Sequence, residues 1–309
     1  MAEKVVLLAD PGIDGAFAVA LALFDPELDV LGLGATPGNV SAEQATKNIH
    51  ILVDQLGPPR WPRLGEAPNI KFPIDGRMLH GPTGFGNTNL PSATLHNILP
   101  SEKLVCELVR LHPREVTVVC LGPLTVLARA FDIFPDLPTL VKRIVCLGGS
   151  RHEPGNVGPV TEFHFVCDPP AARKVLHCGA KITLIPLDCM RKVLFSPKDL
   201  LDLPEDASPA CRFLRQIVPF GIAATANTYG IEGFHLKDVL GIAAVGLPGA
   251  IETKPMSVDV EIGGELTRGM SVFDMREWNH PIPNVDVAVH FDGQGIRDYM
   301  HRILGFRGK

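Results

Sequence analysis

The stretch LLADPGIDGAF, Leu7 to Phe17, ends an apolar run on Asp10, places a second aspartate at Asp14 and follows it with Gly15. Val5 to Ala9 has the length and β-branched content of a buried strand, and Ala16, Val19, Ala20 and Leu23 keep a helical period after it. Asp10 is therefore expected at a strand's carboxyl end and Asp14 in the first turn of the next helix. Two carboxylates so placed can bind a hard cation, take a proton from water, or accept hydrogen bonds from sugar hydroxyls. The plainer readings are a turn aspartate for Asp10, which precedes Pro11-Gly12, and a helix-capping carboxylate for Asp14.

Farther along, EPGNVGPVTEFHFVCDPPAA sets Asn156, Glu162 and His164 among Phe163, Phe165 and Val166. If this segment is extended, Glu162 and His164 share one side, and a buried carboxylate and imidazole both need partners. A ligand rich in hydroxyls would supply them, and so would a mutually satisfied core pair. In GFHLKDVLGIAAV, His235 and Lys237 stand just before Asp238, which opens an apolar helix-like run. The default reading of that aspartate is an N-cap.

Five apolar runs can carry these residues: KVVLLAD, LDVLGLGAT, VTVVCLG, RIVCLGG and KITLIPLD, each separated from the next by helix-like sequence. Such alternation predicts an α/β fold with an open, mainly parallel central sheet and helices on both faces. Ligands of such sheets bind outside the carboxyl ends of the strands. That rim collects Asp10, Asp14, Gly38-Asn39, LGPLT from Leu121, GGS from Gly148, and Asp188. Toward the C-terminus, MSVDVEI and VDVAVHF alternate apolar and polar residues as half-exposed or edge strands do, and GIRDYMHRIL has a helical period. The connections GPPRWPRLGEAP and HGPTGFGNTNLP are long for this fold class, as site-forming loops are. No linker or repeat divides the chain, so one domain over 1–309 is expected.

A hydrophobic content of 46% supports a large core, and a net charge of −5 gives no electrostatic reason to expect nucleic acid as a partner. The seven cysteines show no CxxC pairing, which fits buried thiols in a reduced, cytoplasmic protein better than a disulfide or zinc framework. MAEKVV runs directly into the first strand, and neither a signal peptide nor a membrane span is read from the sequence. A small molecule is the expected partner.

DPGID after the first strand, PGNVS after the second, then LGPLT, the GGS to GNVGPVTEFHF region, HLKD and GELTRGMSVFD resemble, in that order, the inosine-uridine preferring nucleoside hydrolase family. The resemblance runs from about Val5 to the last strand. It implies that family's Rossmann-like fold and hydrolysis of the N-glycosidic bond of ribonucleosides through an oxocarbenium-like transition state. It also implies a calcium ion that holds the ribose hydroxyls and the attacking water, no organic cofactor, and a homodimer or homotetramer. By the same resemblance Asp10 is the base and a metal ligand, Asp238 a metal ligand, and Leu121 a ligand through its backbone carbonyl. Asp14 binds a ribose hydroxyl, Asn39, Asn156 and Glu162 contact the ribose, His164 stands where the family usually has asparagine, and His80 belongs to a loop folded over the substrate.

Two departures mark the chain. The family pattern DxDPGxDD reads LADPGIDG here, so a calcium-ligating aspartate is replaced by Gly15. Calcium takes about 6 to 8 oxygens, and a water in that place brings no charge, so affinity is expected to fall; an aspartate at position 15 would suit the helix dipole. The residue before Asp238, often a histidine that assists the leaving base, is Lys237. Lysine can act as an acid, but an unperturbed pKa of about 10.4 matches neutral pH poorly unless the group is desolvated. Three functions are consistent with this pattern: an N-ribohydrolase with an altered metal site, a ribose- or nucleoside-binding protein in which the Lys237 ammonium replaces the lost metal, and a hydrolase of a modified or phosphorylated ribose.

Overall fold

Along the first strand, β1 (Glu3–Ala9), side chains alternate between two apolar layers: Val5, Leu7 and Ala9 enter one, Val6 and Leu8 the other. The computed structural model describes residues 2–91, 98–203, 208–276, 278 and 281–305. Helix Ile13–Phe24 lies in the first layer, while Ser101–Leu111 and Thr125–Ile133 cover the opposite face. A strand buried on both faces must be apolar at consecutive positions, which accounts for its unbroken hydrophobic run.

The remaining strands are β2 (Leu28–Ala35), β3 (Arg63–Glu66), β4 (Leu99–Pro100), β5 (Val116–Cys120), β6 (Arg143–Leu147) and β7 (Ile182–Ile185). They are followed by β8 (Leu194–Phe195), β9 (Phe234–His235), β10 (Ile251–Val260), β11 (Ser271–Asp274) and β12 (Val285–Phe291). Ten of them form one sheet in the order β11-β10-β12-β7-β6-β5-β1-β2-β3-β4, with β8 and β9 a separate two-stranded antiparallel pair. Pairing is parallel from β12 through β7, β6, β5, β1, β2 and β3 to β4, and antiparallel only where β10 meets β12 and β11. The chain leaves β1 toward β2 and later returns to β5 on its other side, so the topological switch point falls between β1 and β5. The carboxyl ends there deliver Asp10 and Leu121, next to the crevice this topology opens.

Of the two alternatives for VDVAVHF, the half-exposed one holds: it forms β12, partly exposed but flanked on both sides, and the sheet's edges are β11 and β4. One local expectation is corrected. The segment holding Glu162 and His164 is not extended. Phe163–Cys167 is a short helix with Glu162 at its N-cap, whose carboxylate accepts from the His164 and Phe165 N–H groups. Asn156 Oδ1 takes the Phe163 N–H at 2.9 Å, so side-chain acceptors hold this turn closed.

Candidate active site

Asp10 directly follows β1 and is 1% exposed. Its Oδ2 accepts the Asn39 N–H at 3.0 Å, and its carbonyl accepts from Asn39 Nδ2 at 2.9 Å. Backbone presses on it from both sides: a Cβ on Gly38 would lie 2.2 Å from Oδ2, and one on Gly122 would lie 2.6 Å from Oδ1. Glycine at these strand ends is a packing requirement. Oδ1 is buried with no hydrogen-bond partner. Burial, with Asp14 adding to it, pushes the Asp10 carboxyl up to about 6 against the opposing pull of His164 and Lys237. Leu121 directly follows the neighbouring strand β5, donates its N–H to the Leu8 carbonyl at 2.8 Å, and precedes the Gly122 that packs on Asp10.

Asp14 lies in the first turn of Ile13–Phe24, but the N-cap of that helix is Gly12. Its Oδ1 accepts the Gly15 N–H at 2.9 Å, and its Oδ2, without a hydrogen-bond partner, is 3.6 Å from Lys237 Nζ. Burial would raise this acid, but the Lys237 charge, together with the other groups around the carboxylate and the Gly15 N–H, outweighs burial and keeps Asp14 below the usual carboxylate range. His80 Nδ1 stands 3.7 Å from Asp14 Oδ1, yet this is not an ion pair. That nitrogen accepts the Ile13 N–H at 3.1 Å, and burial drives the imidazolium down to about 4. At neutral pH the ring is uncharged and carries its hydrogen on Nε2.

Asp238 precedes helix Val239–Gly246 but has helical backbone (φ −68°, ψ −24°), and its side chain caps nothing. Its Oδ1 is also buried without a partner, and burial together with Asp14 raises its carboxyl well above the ordinary range. A Cβ on Gly15 would lie 3.3 Å from Asp238 Oδ2, so position 15 faces this carboxylate. Glu162 Oε2 collects the N–H groups of Gly149 at 3.2 Å and His164 at 2.9 Å. His164 Nδ1 approaches Glu162 Oε1 to 3.0 Å, but off the line a hydrogen bond needs, and both ring nitrogens lack a partner.

Asp14, His80, Asn156 and Lys237 open onto a cavity of about 520 Å³. Its wall also includes His235 of the HLKD motif, and Met190, Arg191, Thr225, Tyr229 and Phe234, which no chemical motif in the sequence marks. The short helix Leu187–Met190 brings in Met190 and Arg191, helix Pro209–Tyr229 brings Thr225 and Tyr229, and β9 brings Phe234 and His235; only tertiary packing could reveal that they share one wall. Asp188, on the same rim by sequence, is used elsewhere: its two oxygens accept the Arg151 and His152 N–H groups at 2.8 and 2.9 Å. Lys237 is 15% exposed at its side chain, with Nζ 5.6 Å from the Phe163 ring centre. Burial works against its ammonium, but Asp14, Asp238, Asp10 and Glu162 hold its proton more tightly than an ordinary lysine's. It is suited to carrying charge more than to releasing a proton.

The oxygens of Asp10 and Asp238 left without partners would face a cation well, but the donor set is short of what calcium takes. Gly15 contributes no side-chain oxygen, and no group of three acidic, histidine or cysteine side chains among the described residues could hold a metal ion. Two carboxylates and a carbonyl do not complete a shell of about 6 to 8 oxygens. The residues present do not fit the family's ion.

The profile of the inosine-uridine preferring nucleoside hydrolases matches residues 5–298. The chain belongs to this family. Like its relatives, this nucleoside hydrolase is an N-ribohydrolase, cleaving the N-glycosidic bond of ribonucleosides. It is 34% identical over 288 residues to a probable uridine nucleosidase 2 of Oryza sativa subsp. japonica, covering 91% of this chain and 85% of the relative. It is 32% identical over 300 residues to the inosine-uridine preferring nucleoside hydrolase of Leishmania major, covering 94% of each. The solved structure of a plant nucleoside hydrolase superposes with a TM-score of 0.92 at 30% identity, covering 98% of this chain and 99% of that one. The open, mainly parallel sheet with helices on both faces is the nucleoside hydrolase fold.

Proposed function

We propose that one domain over 1–309 hydrolyses inosine- and uridine-type nucleosides at this cavity, with Asp10 as the base. The observation that carries the reading is the set of buried oxygens without hydrogen-bond partners, Asp10 Oδ1, Asp14 Oδ2 and Asp238 Oδ1, gathered where β1 and β5 end. Buried acceptors of this kind call for a polar ligand. Asp14, Asn39, Asn156 and Glu162 hold ribose hydroxyls, His164 adds its ring nitrogens, and neutral His80 donates from Nε2. In the step itself a water oxygen bonds to C1′ and gives its proton to Asp10 Oδ1. The C1′–N electron pair leaves with the base, which takes a proton from water. Lys237 acts as a fixed charge beside Asp14.

Calcium, the ion implied by the family motifs, would meet Asp10, Asp238 and the Leu121 carbonyl with one carboxylate missing, so its affinity is weak. A cytoplasmic homodimer or homotetramer acting on a small molecule, with no nucleic acid or membrane partner, completes the proposal. No described helix is long and apolar enough to cross a membrane. The exposed apolar side chains Val272, Met275 and Trp278, on and near edge strand β11, support an assembly of copies. The test is release of free base from inosine and uridine by wild type and Asp10→Asn. Loss on the order of a thousandfold in kcat is expected of the variant, in the middle of the range for removing a positioned base. Undiminished cleavage by a folded variant would exclude Asp10 as the base.

A further inference from the structure

Asp10, Asp14, Glu162 and Asp238 are each 1% exposed and lie close enough to Lys237 for their charges to favour its ammonium; Asp14 lines the cavity, and the other three are buried behind it. Carboxylates this deeply buried need a cation close by or lose their charge. Gly15 removes a negative charge and oxygen donors from the place where a divalent ion would be gripped, and this shifts the balance toward a smaller positive charge. Lys237 is already in position. Its Nζ is 3.6 Å from Asp14 Oδ2, its backbone adjoins Asp238, and the face of Phe163 stands 5.6 Å away as an apolar second wall. The other basic groups of the cavity are committed or uncharged. Arg191 donates to the Glu153 carboxylate and the Gly155 carbonyl, each at 3.0 Å, and His80 is occupied at Nδ1 by the Ile13 N–H.

We infer that Lys237 is the resident cation of this pocket: its ammonium balances the carboxylate cluster and donates to the ribose diol, so that nucleosides bind and turn over without a divalent ion. An ammonium has three donors, and one directed at Asp14 leaves two for substrate oxygens. A tethered monovalent charge also repels a divalent ion from the space beside it, so Gly15 and Lys237 act in the same direction. Turnover without an ion rests on the hydrolase reading above; the exclusion of the ion does not.

The experiment is calorimetric titration of the intact protein with calcium chloride, alongside inosine and uridine hydrolysis after dialysis against EGTA. Wild type is expected to show no calcium binding in the micromolar range and the same rate with and without EGTA. Lys237→Met should lose kcat/KM on the order of a hundredfold in EGTA, as removal of one partner of a buried charge pair does. It should also bind calcium at least about tenfold more tightly than wild type, because the cluster's charge is then uncompensated. Ethylammonium should restore part of the activity of Lys237→Ala. Wild-type activity abolished by EGTA and restored by calcium would overturn the inference, as would a fully active Lys237→Met in EGTA. The wild-type arms stand even if the variants misfold. If no nucleoside is cleaved under any condition, the hydrolase reading fails by itself, and the titration still decides whether Lys237 excludes the ion.

Discussion

Asp10 is held at a pKa of about 6 chiefly by burial, and this fixes two pH dependences of opposite benefit. As a base it must be ionised, so kcat/KM should rise with pH and level off above about 6, and a pH–rate profile on inosine reads this limb directly. For stability the sign reverses. A carboxyl whose folded pKa lies above its unfolded value stabilises the fold while protonated, and that contribution is lost as pH rises from about 4 through about 6. Asp10→Asn should therefore be more stable than wild type at pH 8, on the order of 2–3 kcal/mol, with the gap closing by pH 4 in denaturant melts. Position 15 behaves differently from what the helix dipole alone suggests. A Cβ there sits 3.3 Å from Asp238 Oδ2, so Gly15→Asp should lower Tm in EGTA through like-charge repulsion and recover it with calcium, which it binds more tightly than wild type. The positions of Asp10, Asp14 and Asp238 were legible in the sequence because each carboxylate stands at an apolar boundary. Which oxygens lack partners was not, since that depends on neighbours distant in sequence.

At the scale of elements, the strand ends have to bring backbone close to Asp10, and Gly122 tests this from the far side of the switch point because it follows β5. Gly122→Ala would place a Cβ 2.6 Å from Asp10 Oδ1 and 2.8 Å from Thr36 Cγ2. Overpacking of this kind costs about 1–3 kcal/mol, and here the strain falls on the base itself. A modest loss of Tm with a larger proportional loss of kcat is expected; unchanged kinetics would show that the cradle does not set Asp10's position. Strands buried on both faces declared themselves as continuous apolar runs. Phe163–Cys167 did not, because a helix of this length is too short to display a period and is held by the carboxylate of Glu162 and the amide oxygen of Asn156. Asp188 resembled a site residue for a related reason: its rim position was readable, but its use as the anchor of the Arg151–His152 turn was not.

At the scale of the molecule, alternation of apolar runs and helices establishes a parallel sheet, but strand order comes from long-range packing that no local pattern encodes. One long-range pin lies far from the chemistry. Tyr299, on the C-terminal helix Gly293–Leu304, is 2% exposed and donates its hydroxyl to Asp25 Oδ2, just past the first helix. Asp25 Oδ1 accepts the Glu27 N–H at 2.9 Å, and Gly246 closes over both, since its Cβ would fall 2.5 Å from the tyrosine oxygen. Three helices thus meet at one buried carboxylate. At 1.5 Å rise per residue this point is about 16 Å along the first helix from Asp14, so it should govern stability and leave the site alone. Tyr299→Phe strips one partner from a buried acceptor, which costs about 1–3 kcal/mol, and should lower Tm while kcat/KM for inosine stays at the wild-type value. A loss of activity at unchanged Tm would mean that the C-terminal helix reaches the cavity by a route other than the fold's stability.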